Sequence, residues 1–323
     1  MNYRNLTGTG LHVSELCLGT MTFGGQTSEQ DSIEIIHYAI DQGINFIDTA
    51  DQYNNGASEV ATGKGIKGNR QHLVLASKVF NPHSNDVNDR GLSRRHIIES
   101  LEKSLSNLGT DYLDVYYLHS PDRFTPIEET LETMTTLVRS GKVRYVGVSN
   151  FASWQICDML WTADKRNGIA PVVSQNVYNL LTRDIDDELL PFARKHQIGV
   201  VVYNPIAAGL LTGKYAAGEP AADNTRFAIN PTYRQRYFHD ENLAAVHKLS
   251  AIAASIDMGI LEFAMKWCLA QEGINAVLTG VSQLAQLEQN VAAVDGKAID
   301  PAVFGQCDEV WMSLPNNRFK YNR

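Results

Sequence analysis

Asp48, Tyr53, Lys78 and His119 are four side chains that together can deliver a proton. Two of them lie in Ile44-Asn-Phe-Ile-Asp-Thr-Ala-Asp-Gln-Tyr-Asn-Asn-Gly-Ala-Ser-Glu59, a stretch that begins as an apolar strand and turns polar where the strand runs out. A tyrosine hydroxyl titrates near ~10, so it yields its proton at neutral pH only where a cation favours the phenolate. Lys78 is the candidate cation. Burial would strip the ammonium of its proton, and Asp48 is placed to keep it charged and oriented. His119 can hydrogen-bond a substrate oxygen while Tyr53 acts as general acid, a role worth about 10²–10⁴ in rate. The set suits protonation of an oxygen that becomes negative as a hydride reaches the adjacent carbon. It contains no activated nucleophile and no metal cage. Singly, each residue has a plainer reading: Asp48 as a helix N-cap, Tyr53 and Lys78 as surface amphipaths, His119 as a loop histidine.

The elements around these residues weigh against four separate accidents. Apolar runs at Glu15–Leu18, Asn45–Asp48, Leu73–Lys78, Leu113–Leu118, Arg144–Ser149, Val172–Gln175, Gly199–Tyr203 and Ala276–Thr279 read as strands. Between them, apolar residues recur at helical spacing, as in Ile33, Ile36 and Ile40 or Ile97, Leu101, Leu105 and Leu108. Eight such units predict an α/β fold, a (β/α)8 TIM barrel of one domain spanning 1–323, with a two-domain doubly wound fold as the alternative. Gly8 and Gly10 mark an N-terminal capping hairpin. Extra helices are expected at Glu241–Ser255, Leu261–Gln271 and Pro301–Ser313, and Asn204 to His239 reads as a long functional loop. In such a barrel chemistry gathers at the C-terminal strand ends, where Asp48, Lys78, His119, Ser149, Asn150, Gln175 and Tyr203 fall.

Gly63-Lys-Gly-Ile-Lys-Gly68 matches the dinucleotide pattern G-x-G-x-x-G in letters only. That motif must follow a strand and open a helix. Here the glycines close a helix over Ser58–Ile66 and precede a strand, so they read as a C-cap and turn.

Composition narrows the class further. The 323 residues are 44% hydrophobic with a formal net charge of -8, and no basic cluster exceeds two residues, which argues against nucleic acid as a partner. The N-terminal residues resemble no signal peptide, and no apolar run is long enough for a membrane span, so the cytoplasm is the expected address. Cys17, Cys157, Cys268 and Cys307 lie far apart, as buried thiols rather than disulfides or a zinc site.

The sequence resembles the aldo-keto reductase superfamily across essentially its whole length. The resemblance rests on Gly19-Thr-Met-Thr-Phe-Gly24, Asp48-Thr-Ala-x-x-Tyr53, Ala76-Ser-Lys78, Asp111-Tyr-Leu-Asp-x-x-x-Leu-His119, Gly141-Lys-Val-Arg-Tyr-Val-Gly-Val-Ser-Asn150 and Gly209-Leu-Leu-Thr-Gly-Lys-Tyr215. It implies reduction of aldehydes or ketones with NADPH rather than NADH, a small-molecule carbonyl partner, and Asp48, Tyr53, Lys78 and His119 as a catalytic tetrad. It also implies that Ser149, Asn150 and Gln175 hold the nicotinamide amide, that Tyr203 stacks on the ring, and that Leu210, Gly213 and Lys214 wrap the pyrophosphate. Gly19, Thr20, Met21, Asn204 and Pro205 would border the same cofactor. Gly280-Val-Ser-Gln-Leu-Ala-Gln-Leu-Glu-Gln-Asn290 resembles the adenosine-binding turn, with Gly280, Ser282, Gln286, Gln289 and Asn290 as its contacts. Gln289 stands where many members carry glutamate, in a form resembling the aflatoxin aldehyde reductase branch. Gln286 stands where many carry arginine, and Arg226 is the candidate replacement charge. Met21, Phe23, Phe80, the loop Ser120–Pro126 and the long loop after Tyr203 are expected to line an apolar substrate pocket. A second reading is a slow-turnover regulatory protein, since voltage-gated potassium channel β subunits share this fold and tetrad.

Overall fold

The protein is described by a computed structural model covering residues 1–215 and 226–314. Strands β1 (Tyr3–Asn5) and β2 (His12–Ser14) form an antiparallel hairpin. Eight parallel strands follow: β3 (Leu16–Gly19), β4 (Phe46–Asp48), β5 (Val74–Val79), β6 (Leu113–Leu118), β7 (Val143–Ser149), β8 (Val173–Val177), β9 (Gly199–Tyr203) and β10 (Ile274–Gly280). They close into a barrel when β10 pairs with β3, Val277 opposite Leu16 and Gly280 opposite Gly19. The expected (β/α)8 TIM barrel is the observed fold, with strand limits displaced by two residues at most.

Each strand alternates between two apolar layers, because successive side chains of a strand point to opposite faces. Cys17, Phe46, Ala76, Val115, Tyr117, Val173, Val201 and Ala276 fill the barrel interior. Leu16, Leu18, Ile47, Leu75, Tyr116, Leu118, Val200 and Val202 pack outward against the helices. The helix Arg94–Leu108 illustrates the outer shell. Ser93 caps its first turn by accepting from the His96 N–H, Ile97, Leu101, Leu105 and Leu108 are buried, and Gly109 ends it at a φ of 62°.

The hairpin seals the N-terminal end of the barrel. Leu6 is wholly buried in the interior core, and Arg4 donates to Glu15 and to the carbonyls of Leu269 and Ile274. Gly8 is required there: its φ is +80°, and a Cβ would lie 2.4 Å from the Gln197 carbonyl oxygen.

The expected long loop is partly helical, with short helices at Arg226–Ile229 and Pro231–Tyr237. The expected final helix divides into a 3-10 turn at Pro301–Val303 and a helix at Phe304–Met312. The glycine-rich stretch also needs correction. Gly63 and Gly65 lie inside the helix Ala57–Gly65, where Cβ atoms would come within 2.6 Å of the Leu108 carbonyl oxygen and of Ile36 Cδ1. They permit close helix packing, and only Gly68, at φ +86°, makes the turn. Of the four cysteines, Cys157 is exposed rather than buried, and all four are free.

Candidate active site at the barrel mouth

Two residues beyond one interior position of each strand lies an inward-facing residue at the C-terminal end, within the strand or just after it. Cys17 leads to Gly19, Phe46 to Asp48, Ala76 to Lys78, Tyr117 to His119, Gly147 to Ser149, Val173 to Gln175, Val201 to Tyr203 and Leu278 to Gly280. The period of a strand therefore carries all eight to one end of the barrel.

Asp48 and Lys78 form an ion pair there with side chains 1% and 0% exposed. Lys78 Nζ also donates to the Thr49 carbonyl at 2.7 Å and lies 3.4 Å from the Tyr53 hydroxyl. Gln175 Nε2 donates to the second Asp48 oxygen at 2.9 Å, so the carboxylate is held from both sides. Burial pushes Asp48 above its ordinary range against the pull of Lys78. Burial alone would depress Lys78, but Asp48 and then Tyr53 outweigh it and hold the ammonium above its usual value. The pair keeps its proton on nitrogen. Burial also pushes the Tyr53 phenol up, more than Lys78 lowers it. Tyr53 is therefore an acid in its protonated form, with a cation beside it for the moment the proton leaves.

The turn that presents Tyr53 is held in left-handed backbone. Asn54 and Asn55 have φ values of 49° and 55°, a region asparagine tolerates better than most residues. Asn54 Nδ2 donates to the carbonyls of Met21 (3.0 Å) and Phe23 (2.8 Å), fastening this turn to the loop after β3.

A second braced group crosses the mouth. Asn150, at φ 63°, donates to the His119 carbonyl at 3.0 Å and to Ser149 Oγ at 3.1 Å, and its Oδ1 accepts from the Tyr203 hydroxyl at 2.8 Å. The His119 N–H continues the ladder by donating to the Val79 carbonyl, and its ring stands edge-on to Tyr53 at 6.0 Å.

The other expected contacts divide into a wall and a frame. Gly19 allows Leu278 to pack, since a Cβ there would lie 2.5 Å from Leu278 Cδ2. Thr20 is fully buried and bonded to Ser58 and the Asp48 carbonyl, so it is frame, whereas Met21 is 37% exposed. Asn204 spends its side chain on the Tyr237 hydroxyl and the Ala208 N–H, and Pro205 and Leu210 are buried. Gly213 has φ +78° and Lys214 beside it is exposed. Gly280 is exposed with open space where a Cβ would be, which leaves room for a bound group. Gln286 accepts from the Ser282 N–H at 2.8 Å, Gln289 is exposed, and Asn290 is buried against Thr279. Arg226 opens a short helix, and its side chain lies outside the described residues. Phe23 departs from expectation: wholly buried, it belongs to the core rather than to a substrate pocket.

Comparison with known proteins decides the family. The aldo/keto reductase family matches residues 15–312. The chain belongs to that family. A probable voltage-gated potassium channel subunit beta from Arabidopsis thaliana is 35% identical over 331 residues, covering 99% of this chain and all of the relative. Aldo-keto reductase YhdN from Bacillus subtilis is 37% identical, covering 89% of this chain and 87% of the relative. The uncharacterized oxidoreductase YrpG from Bacillus subtilis is 38% identical, covering 91% of each chain. This aldo/keto reductase is thus an NAD(P)H-dependent oxidoreductase. Its mouth fits a nicotinamide cofactor in kind: an aromatic ring at Tyr203, hydroxyl and amide groups at Ser149, Asn150 and Gln175, an exposed cation at Lys214 and an open backbone at Gly280. Among the described residues, no helix is long and apolar enough to cross a membrane.

One group escaped the sequence reading, which saw no metal cage. Asp51, His83 and His96 converge beside the Tyr53 turn from three different segments, their donor atoms all within 4.8 Å of one another. Their separations of 32 and 13 residues gave no local spacing to recognise.

Proposed function

We propose that the protein reduces aldehydes or ketones to alcohols with NADPH, taking the proton from Tyr53. The observation that carries this reading is the buried chain Gln175, Asp48, Lys78, Tyr53, which ends in a phenol at the barrel mouth. The nicotinamide, when bound, supplies the hydride. Tyr53 then donates its hydroxyl proton to the carbonyl oxygen as negative charge develops on it. Lys78 stabilises the phenolate left behind, and Asp48 keeps Lys78 in place and charged. His119 orients the carbonyl oxygen toward the phenol, and Ser149, Asn150, Gln175, Tyr203, Lys214 and Ser282 would hold the cofactor. NADPH in preference to NADH rests on Ser282 as partner for the 2′-phosphate, while Lys214 would meet the pyrophosphate that both cofactors carry. We place this activity in the cytoplasm, with a small carbonyl compound as the partner.

A second reading has its own support, since a relative named as a channel β subunit aligns over its full length with this chain. On that reading the same site senses cofactor redox state and turns over slowly while the protein docks on a channel. Turnover separates the two: many NADPH molecules oxidised per protein with an aromatic aldehyde, and fewer with NADH, support the reductase. Copurifying cofactor oxidised once and no further would replace it with the sensor.

A further inference from the structure

Beside the Tyr53 turn lies a cluster of donor atoms that the reductase reading leaves unused. Asp51 and His96 are each 1% exposed, and the His83 side chain is 10% exposed on the loop after β5. His83 Nε2 lies 3.1 Å from Asp51 Oδ2, while the buried Asp51 Oδ1 has no hydrogen-bond partner. Buried polar atoms without partners are uncommon, because each has lost its water without replacement. Such an oxygen, aimed into a cluster of two imidazoles and a carboxylate, needs an explanation.

We infer that Asp51, His83 and His96 ligate one divalent first-row transition ion of the zinc class. Imidazole and carboxylate are the donors such ions take, at about 2.0–2.2 Å, which puts neighbouring donors roughly 3–3.5 Å apart in a four-coordinate site. The Asp51–His83 separation already matches, and His96 completes the set from within 4.8 Å. Charge is also balanced. Asp89 Oδ1 lies 3.2 Å from His96 Nδ1, so two carboxylates and two neutral imidazoles meet a dication. A metal takes both rings as neutral imidazoles, so binding weakens as the pH falls. The other groups around the cluster are Asp89, Glu59, Tyr116, Lys103 and Ser100, whose Oγ lies 3.5 Å from His83 Nε2.

The test is a Co²⁺ titration of tag-free, chelator-stripped protein, followed by visible absorption, with Zn²⁺ stoichiometry by elemental analysis. The expected result is one ion per chain, and at least a tenfold weaker affinity in His83→Ala, by the scale on which such groups control metal affinity. Circular dichroism and retained NADPH binding verify that the variant is folded. His83 lies at the surface, so it serves even if His96→Gln does not fold. Binding by wild type no tighter than by His83→Ala, or no saturable Co²⁺ spectrum in wild type, would overturn the assignment.

Discussion

Lys78 is the residue on which the site's electrostatics turn. With Asp48 1% exposed, removing the ammonium leaves a buried carboxylate held only by the Gln175 amide. Breaking a buried pair in this way costs about 3–5 kcal/mol. Lys78→Met is expected to lower the urea midpoint accordingly, and Asp48→Asn added to it is expected to restore most of the loss. The pH dependence has a definite sign. Burial already raises Asp48 above its unfolded value, and losing Lys78 raises it further. A carboxyl with a raised folded pKa adds stability below its unfolded pKa and loses it as the pH climbs through the folded one. The deficit of Lys78→Met should therefore shrink on acidification, and a deficit that grows would contradict this assignment.

At the scale of elements, the loop after β6 is organised by one carboxylate. Asp122 accepts from the N–H groups of Leu92 (2.7 Å), Phe124 (2.8 Å) and Thr125 (3.3 Å) and from the Thr125 hydroxyl (2.7 Å), tying it to the loop after β5. Burial would raise its pKa, but these donors outweigh burial and lower it. A lowered folded pKa gives stability above the unfolded pKa that disappears as the pH falls through the folded one. Asp122→Ala should cost about 2 kcal/mol at neutral pH and progressively less in acid, read from urea midpoints at several pH values. The legibility of the chain follows the same elements. Strand ends were readable because a strand's period of two fixes which residue faces the mouth, and Asp48, Lys78 and Gln175 follow that period. The meaning of Gly63 and Gly65 was not readable, since it depends on how closely Leu108 and Ile36 approach. Nor was the burial of Phe23, set by packing across the loop after β3, or the meeting of Asp51, His83 and His96, which the tertiary fold alone creates.

At the scale of the whole molecule, stability and chemistry occupy opposite ends of the barrel. Arg4 fastens the hairpin with bonds to Glu15, Leu269 and Ile274 at the closed end, while the ion pair and phenol stand at the other. Arg4→Met should lower the unfolding free energy by about 2 kcal/mol yet leave kcat/KM for an aldehyde within twofold, because charge-assisted hydrogen bonds are lost far from the mouth. A matching fall in activity would show that the two ends are not separable. The central claim, that the barrel delivers a proton from Tyr53, is tested most directly by NADPH oxidation with an aromatic aldehyde in wild type and Tyr53→Phe, with NADPH binding followed by fluorescence. The account predicts that the variant binds NADPH as wild type does and loses about 10²–10⁴ in rate; a variant that binds and turns over at the wild-type rate would contradict it.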